Sequence, residues 1–99
     1  MSAGPPDFAG IVVQHNVAEF RFEAMVEGSL AVADYEAAGD VVVFTHTFVP
    51  PDLRGRGIAE KLVRAALEWA RTENRRVVPA CSYVAAFIRR NPDFQSLGQ

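Results

Sequence analysis

The sequence contains a single cysteine, Cys81, so this chain of 99 residues cannot form an internal disulfide. A lack of structural disulfides is typical of proteins from reducing compartments. No stretch approaches the roughly 18 consecutive apolar residues that a membrane-spanning helix needs. The first residues also lack the basic segment followed by an apolar one that marks a secretory signal. We therefore expect a cytoplasmic protein with no membrane partner.

An excess of charge of one sign is also absent, because the formal net charge is only -2 at pH 7. General nucleic-acid binders carry a marked basic excess, so direct binding to nucleic acid is not expected. The histidines, His15 and His46, stand alone in the sequence, and one cysteine is too few for a metal-ligand set. We expect no bound metal.

Apolar residues, by contrast, are plentiful at 49% of the chain, which is enough for a packed core at this size. The length fits one domain, which we assign to residues 10–99. Residues 1–9 contain small residues and a Pro-Pro pair, and this composition predicts a flexible N-terminal tail.

Apolar alternation predicts four strands in the first half of the chain, at residues 11–14, 19–26, 30–36 and 41–49. Short turn signals separate them, so neighbouring strands should pair antiparallel. The second strand should direct every other residue toward the core, namely Phe20, Phe22, Ala24 and Val26. The fourth begins with four apolar residues in a row, which predicts burial on both faces near the centre of the sheet.

Helical spacing of apolar residues predicts a long helix over residues 57–73, followed by a strand over residues 76–81. A strand, a helix and a further strand form a crossover unit, so the last strand should pair parallel to the fourth. Ser82 is a candidate cap for a short final helix over residues 83–90. The predicted fold class is α/β with a mixed, mostly antiparallel sheet, one long crossover helix and a short C-terminal helix.

The loop between the fourth strand and the long helix is the main candidate for chemistry. It contains Arg54, Gly55, Arg56 and Gly57 and leads directly into the helix. Unpaired backbone N–H groups and the helix dipole make such a position favourable for an anion. It is neither a P-loop nor a dinucleotide fingerprint, since the defining residues of both are missing. An ordinary turn with exposed arginines is the alternative interpretation.

The pattern Arg54-x-x-Gly57-x-Ala59 resembles the acetyl-CoA signature of the GCN5-related N-acetyltransferases. The segment VFTHTFVP at residues 43–50 and the segment PACSYV at residues 79–84 are similar to the small single-domain branch of that family. The resemblance covers about residues 11–94. It implies a minimal form of the family fold in which strands four and five splay apart, and it implies acetyl-CoA as the co-substrate.

The resemblance also implies which residues hold the cofactor. The pantetheine arm would lie along the end of the fourth strand, and the pyrophosphate would lie on the loop amides. The implied cofactor-binding residues are Thr47, Phe48, Val49, Arg54, Gly55, Arg56, Gly57, Ile58 and Ala59. The family's helices after the first strand and its last two strands have no counterpart here, so we expect an open acceptor site. An exposed amine on a protein or peptide would suit such a site.

Three residues are candidate catalytic groups. Cys81 precedes a helix N-terminus, where the dipole favours the thiolate, and the resemblance places the acetyl group near it. It would serve either as a nucleophile or as a bystander to direct transfer, and a small buried core residue is the alternative. His46 is a candidate base unless it is only a strand residue, with Glu23 as a weaker choice. Tyr83 is a candidate proton donor to the leaving thiolate unless it only packs.

The predicted function is therefore acetyl-CoA-dependent transfer of an acetyl group to an amine. A non-catalytic module that binds CoA or acyl-CoA would use the same loop, with Cys81 and His46 serving only in packing. A protein-interaction domain whose basic loop contacts an acidic partner is the third interpretation.

Overall fold

Five strands form one sheet, and their order across the sheet is their order along the chain. The computed structural model describes residues 11–98, so the tail predicted for residues 1–9 lies outside the described residues. The first four strands pair antiparallel and the last two pair parallel, as predicted. The strands are β1 Gln14–Asn16, β2 Arg21–Val26, β3 Ser29–Ala38, β4 Val41–Phe48 and β5 Arg76–Pro79.

Two α-helices lie against the sheet, α1 Ile58–Thr72 and α2 Ser82–Arg90. The chain also forms a 3₁₀ turn at Pro51–Leu53 and a C-terminal 3₁₀ segment at Pro92–Gly98. Helix α1 crosses from β4 to β5, which accounts for their parallel pairing, and the predicted fold class is confirmed. Within residues 11–98, none of the helices combines the length and the apolar character that crossing a membrane requires.

The core lies between one face of the sheet and the helices. Small residues such as Ala24, Ala31 and Ala33 are almost fully buried on the strands, so α1 can approach the sheet closely. Helix α1 packs one apolar face against the sheet. Its buried residues are Ile58, Leu62, Val63, Ala66, Leu67 and Ala70.

The opposite face of the sheet is more open, which corrects one prediction for β4. Val42 and Phe44 are fully buried, but the intervening Val43 is only half-buried. Helices α1 and α2 lie on the same side of the sheet, because Arg64 of α1 stacks 5.2 Å from the Phe87 ring of α2. The apolar start of β4 is therefore buried on one face, and not on both.

Further predictions differ from the structure at element ends, including the last strand, which ends at Pro79 and not at residue 81. The first strand lies at Gln14–Asn16 instead of residues 11–14. Phe20 is 52% exposed, because its positive φ of 57° belongs to the turn before β2 and the alternation starts only after it. Ser82 is the first residue of α2, and Cys81 occupies the N-cap position instead.

The C-terminal 3₁₀ segment was not predicted. It buries Phe94 and Leu97 against the rest of the domain. Two arginines of α1 cover the Phe94 ring, with the guanidinium of Arg71 at 4.7 Å and that of Arg64 at 5.6 Å from its centre. These contacts hold the C-terminal 3₁₀ segment against α1, so the segment covers part of the core.

A β-bulge in β4 decides which of its residues face the core. Tyr35 pairs with Phe44 and Asp34 pairs with His46, so Thr45 is an extra residue with no partner on β3. Residues that lie directly opposite each other on paired strands share a face. Thr47 therefore faces the core beside its partner Ala33, whereas His46 turns to the open face.

His15 lies within an aromatic cluster between β1, the sheet and α1. Its Nε2 atom is 2.6 Å from the hydroxyl oxygen of Tyr35, and its ring stacks on Phe22 at 4.1 Å. The ring of Trp69 meets it edge-on at 4.7 Å. Burial, and to a smaller extent the positive charge of Arg75, lower the pKa of His15.

This lowered pKa predicts a pH dependence of folding stability. The unfolded chain binds a proton at His15 near the ordinary value of 6.5, whereas the folded chain resists protonation. The free energy of unfolding should therefore fall as the pH drops below about 6.5. Urea unfolding of the wild type and of His15→Phe at several pH values between about 8 and 5 measures this effect. If the free energy of unfolding depended equally on pH in both proteins, the prediction would be contradicted.

Candidate active site

The paired strands β4 and β5 separate halfway along β4. Their last pair is Phe44 with Pro79, and β4 then continues to Phe48 while β5 ends. The backbone N–H of Cys81 donates a 2.8 Å hydrogen bond to the Phe44 carbonyl, which holds the departing chain at the point of separation. Beyond this point β4 has no β5 partner, so a cleft opens between the strands. We call it the β4–β5 cleft.

A cavity of about 430 Å³ continues this cleft toward the start of α1. Its wall includes all but one of the residues that the sequence predicted for the cofactor, together with the predicted Tyr83. Leu53 and Glu60 also line it, although the sequence did not point to them. The lining residues are Thr47, Phe48, Val49, Leu53, Arg54, Gly55, Gly57, Ile58, Ala59, Glu60 and Tyr83.

Leu53 and Glu60 could have been found from their positions in the sequence. Leu53 is fully buried in the 3₁₀ turn that begins at Pro51. A lone apolar residue beside a basic loop indicates that its side chain packs under the loop. Glu60 follows Ala59 in the first turn of α1 and is half-exposed, so it resembled an ordinary surface residue. Together they give the cavity an apolar floor and one carboxylate.

The glycines of the loop shape it for an anion. Gly55 and Gly57 have φ values of 85° and 79°, in the left-handed region that residues with a Cβ rarely adopt. A Cβ on Gly55 would meet nothing within 4 Å, so backbone conformation and not space favours glycine there. Gly57 is the N-cap of α1, and the first amides of that helix have no intrahelical partner. Those amides are available to an anionic group.

The two arginines of the loop have different positions. The guanidinium of Arg54 donates a 2.8 Å hydrogen bond from Nε to the Val49 carbonyl and lies 5.7 Å from the Phe48 ring centre. Arg54 thus joins the loop to the end of β4 and lines the cavity. Arg56 is not part of the wall, and its guanidinium is 2.7 Å from the Glu27 carboxylate in the turn after β2.

Cys81 lies at the closed end of the β4–β5 cleft. Its thiol is half-buried, and its sulfur is 3.5 Å from the hydroxyl oxygen of Thr47, which lines the cavity. Burial raises the pKa of Cys81. Hydrogen bonds from the Thr47 hydroxyl and the backbone amides of Val84 and Tyr83 lower it by more in total, so the net shift of the pKa is downward. Those amides belong to the first turn of α2, whose N-cap position Cys81 occupies.

Tyr83, the second residue of α2, lines the same cavity. Burial raises the pKa of its phenol, with a smaller increase from the charge of Glu60, while Arg90 acts in the opposite direction. The hydroxyl is therefore protonated at neutral pH and is able to donate a proton or a hydrogen bond. Cys81 and Tyr83 both lie at the start of α2, and Tyr83 alone of the two lines the cavity.

His46 is not brought into this group. The bulge at Thr45 turns it to the open face of the sheet, opposite Asp34, where its ring stacks on Phe48 at 6.4 Å between centres. It is exposed and is not part of the cavity wall. Glu23 also lies away from the cavity, with its carboxylate 2.7 Å from Nε of Arg21.

Metal binding finds no support in the part of the chain that the structure describes. Residues 11–98 hold no group of three or more His, Cys, Asp or Glu side chains that could bind a metal ion. The donors around Cys81 are instead neutral hydroxyl and amide groups.

The chain is similar to known proteins in both sequence and fold. A sequence model of the GCN5-related N-acetyltransferases matches residues 21–97. The chain is 36% identical over 91 residues to Protein NATD1 of Bos taurus, covering 89% of this chain and 80% of that protein. It is 35% identical over 85 residues to Protein NATD1 of Homo sapiens, covering 83% of this chain and 75% of that protein. A GCN5-like protein of Staphylococcus aureus, solved by NMR, shares the fold with a TM-score of 0.70 at 24% identity, and the match covers 87% of this chain and 85% of that one.

Proposed function

Since the chain belongs to the GCN5-related N-acetyltransferase family, we propose that it transfers an acetyl group from acetyl-CoA to an amine on a protein or peptide. The observation that carries the proposal is the cavity itself. One continuous wall joins the end of β4, the glycine loop and Tyr83, and the Cys81 thiol lies directly behind Thr47 of that wall. A phosphate-bearing thioester needs an anion site and a reactive end within one cleft, and the residues in and next to this cavity are suited to both roles.

The residues present fit a CoA thioester. The amides of Gly57, Ile58 and Ala59 at the start of α1 would hold the pyrophosphate, with the guanidinium of Arg54 beside them. The part of β4 beyond Phe44 has backbone groups that β5 does not pair, and they would hold the amides of the pantetheine arm. Acetyl-CoA supplies the activated acetyl group, while the protein binds and orients it.

Acyl transfer to an amine requires a polarised carbonyl and a proton for the leaving thiolate. In direct transfer the amine nitrogen forms the new bond to the acetyl carbon, the thioester C–S bond breaks, and the nitrogen loses a proton to solvent, from which Tyr83 regains the proton that it gives to the sulfur. Tyr83 would donate a proton to the CoA sulfur, because its hydroxyl is protonated and lines the cavity. Cys81 would either accept the acetyl group first or remain beside it. We assign no role to His46, which lies on the open face.

A non-catalytic CoA-binding module is the second candidate. The placement of His46 outside the cavity favours it, because a binding site needs no base. The two candidates share the loop and differ in turnover. Incubation with labelled acetyl-CoA and a panel of peptide and polyamine amines separates them. Label passed to an amine supports the enzyme, and binding without transfer supports the module.

Replacing Gly57 tests the anion site. Gly57→Ala places a Cβ in the left-handed region, which costs about 1–2 kcal/mol of folding stability and distorts the first amides of α1. We expect acetyl-CoA binding, measured by calorimetry, to weaken by about tenfold or more, which corresponds to about 1.4 kcal/mol.

Gly39→Ala is the matched control for this experiment. Gly39 also has a positive φ, 61°, but it lies in the turn between β3 and β4, at the opposite end of β4 from the loop. It should lose comparable stability in thermal unfolding while acetyl-CoA affinity stays unchanged. Equal loss of affinity in both variants would contradict the assignment of the loop. The absence of any heat or thermal shift with millimolar-range acetyl-CoA and the wild type would contradict the proposed function.

Replacing Tyr83 tests the proton donor. Tyr83→Phe keeps the ring that packs against the cavity but removes the hydroxyl. General acid catalysis contributes typically about 10²–10⁴ in rate, so we expect the transfer rate to fall by at least about 10². The affinity for acetyl-CoA, measured by the same calorimetry, should not change. A variant with the wild-type rate would remove Tyr83 from the mechanism.

A further inference from the structure

We propose that Thr47 is a positioning residue for Cys81, with its hydroxyl donating a hydrogen bond that holds the sulfur at the closed end of the β4–β5 cleft. The significance of this contact for catalysis rests on the proposed function, but the contact itself does not. The sequence suggested only that the backbone of Thr47 holds the cofactor arm. The structure gives its side chain a separate task.

The β-bulge is what brings the two side chains together. If Thr45 were an ordinary paired residue and not a bulge, regular alternation from Phe44 would place His46 on the core face and Thr47 on the open face. With it, Thr47 lies opposite Ala33 on the core face, and its hydroxyl oxygen is 3.5 Å from the Cys81 sulfur. The backbone bond from Cys81 N–H to the Phe44 carbonyl fixes the other side of this contact.

The surroundings of the thiol make the hydroxyl important. The groups that act on Cys81 are Thr47, the amides of Tyr83 and Val84, and burial itself. No charged side chain of the described residues is among them, so no cation balances a thiolate at this position. Within this set, Thr47 supplies the one side-chain hydrogen bond, which either partner could donate when the sulfur is a thiol. When the sulfur is a thiolate, the hydroxyl must be the donor.

Threonine also suits the position mechanically. Its β-branched side chain has few rotamers on a strand, so the hydroxyl is held in place and not merely nearby. Valine has nearly the same shape without the hydroxyl, and serine keeps the hydroxyl without the methyl group. The two substitutions, Thr47→Val and Thr47→Ser, therefore separate the effect of hydrogen bonding from the effect of packing at one site.

The test is the pH dependence of Cys81 alkylation by iodoacetamide in the full chain, which reports the thiolate fraction without any acetyl transfer. Thr47→Val should move the midpoint of the alkylation profile to higher pH and lower the rate at pH 7 by about tenfold, as expected for the loss of a hydrogen bond to a charged atom. Thr47→Ser should keep a profile close to the wild type. This rescue would not follow from a purely structural role of the threonine.

Thr45→Val is the matched control, because it makes the same chemical change on the same strand at an exposed residue that does not contact the sulfur. Its profile should match the wild type. An unchanged profile for Thr47→Val, or equal shifts for Thr47→Val and Thr45→Val, would overturn the proposal.

The two proposals fail in different ways. If the wild type transfers no acetyl group but Thr47→Val still shifts the alkylation profile, the proposed function is wrong and the positioning role of Thr47 is supported. If the wild type transfers acetyl groups and Thr47→Val has the alkylation profile of the wild type, the proposed function is supported and the positioning role of Thr47 is wrong.

Discussion

The separation of β4 from β5 after one short run of parallel pairs is the constraint on which the site depends. Pro79 ends the ladder because it has no N–H to donate, and the chain turns away directly after it. The bond from the Cys81 N–H to the Phe44 carbonyl limits how far it departs. The strands therefore diverge from a fixed point. That point carries a thiol on one side and the unpaired end of β4 on the other.

The bulge at Thr45 adds a second constraint, because it exchanges the two faces of β4 within the cleft. Upstream of it the core face carries Val42 and Phe44, which pack under the helices. Downstream the core face carries Thr47, while His46 points away. Because of this bulge, the hydroxyl of Thr47 and not the imidazole of His46 lies next to Cys81. Bulges are frequent beside functional sites for this reason, since they redirect a side chain without a new element.

Much of the fold could be predicted from local patterns. Period-two alternation defined β2 and β3, helical spacing defined α1, and the Arg54–Ala59 pattern led to the loop that lines the cavity. The bulge could not be predicted, because an extra residue in a run such as Thr-His-Thr leaves no signature in side-chain type. Whether His46 or Thr47 faced the cleft was therefore undetermined. The prediction that β4 is buried on both faces was wrong for a related reason, because an apolar run in the sequence does not show which face of the sheet a helix covers.

The absence of an imidazole beside Cys81 among the described residues has a chemical consequence. A cysteine paired with histidine passes its proton to a fixed base, and the resulting ion pair stabilises the thiolate. Here the stabilising groups are a hydroxyl and backbone amides, which do not accept a proton at neutral pH and carry no net charge. If Cys81 ionises, its proton must therefore leave to solvent, and the half-buried position of the thiol permits this.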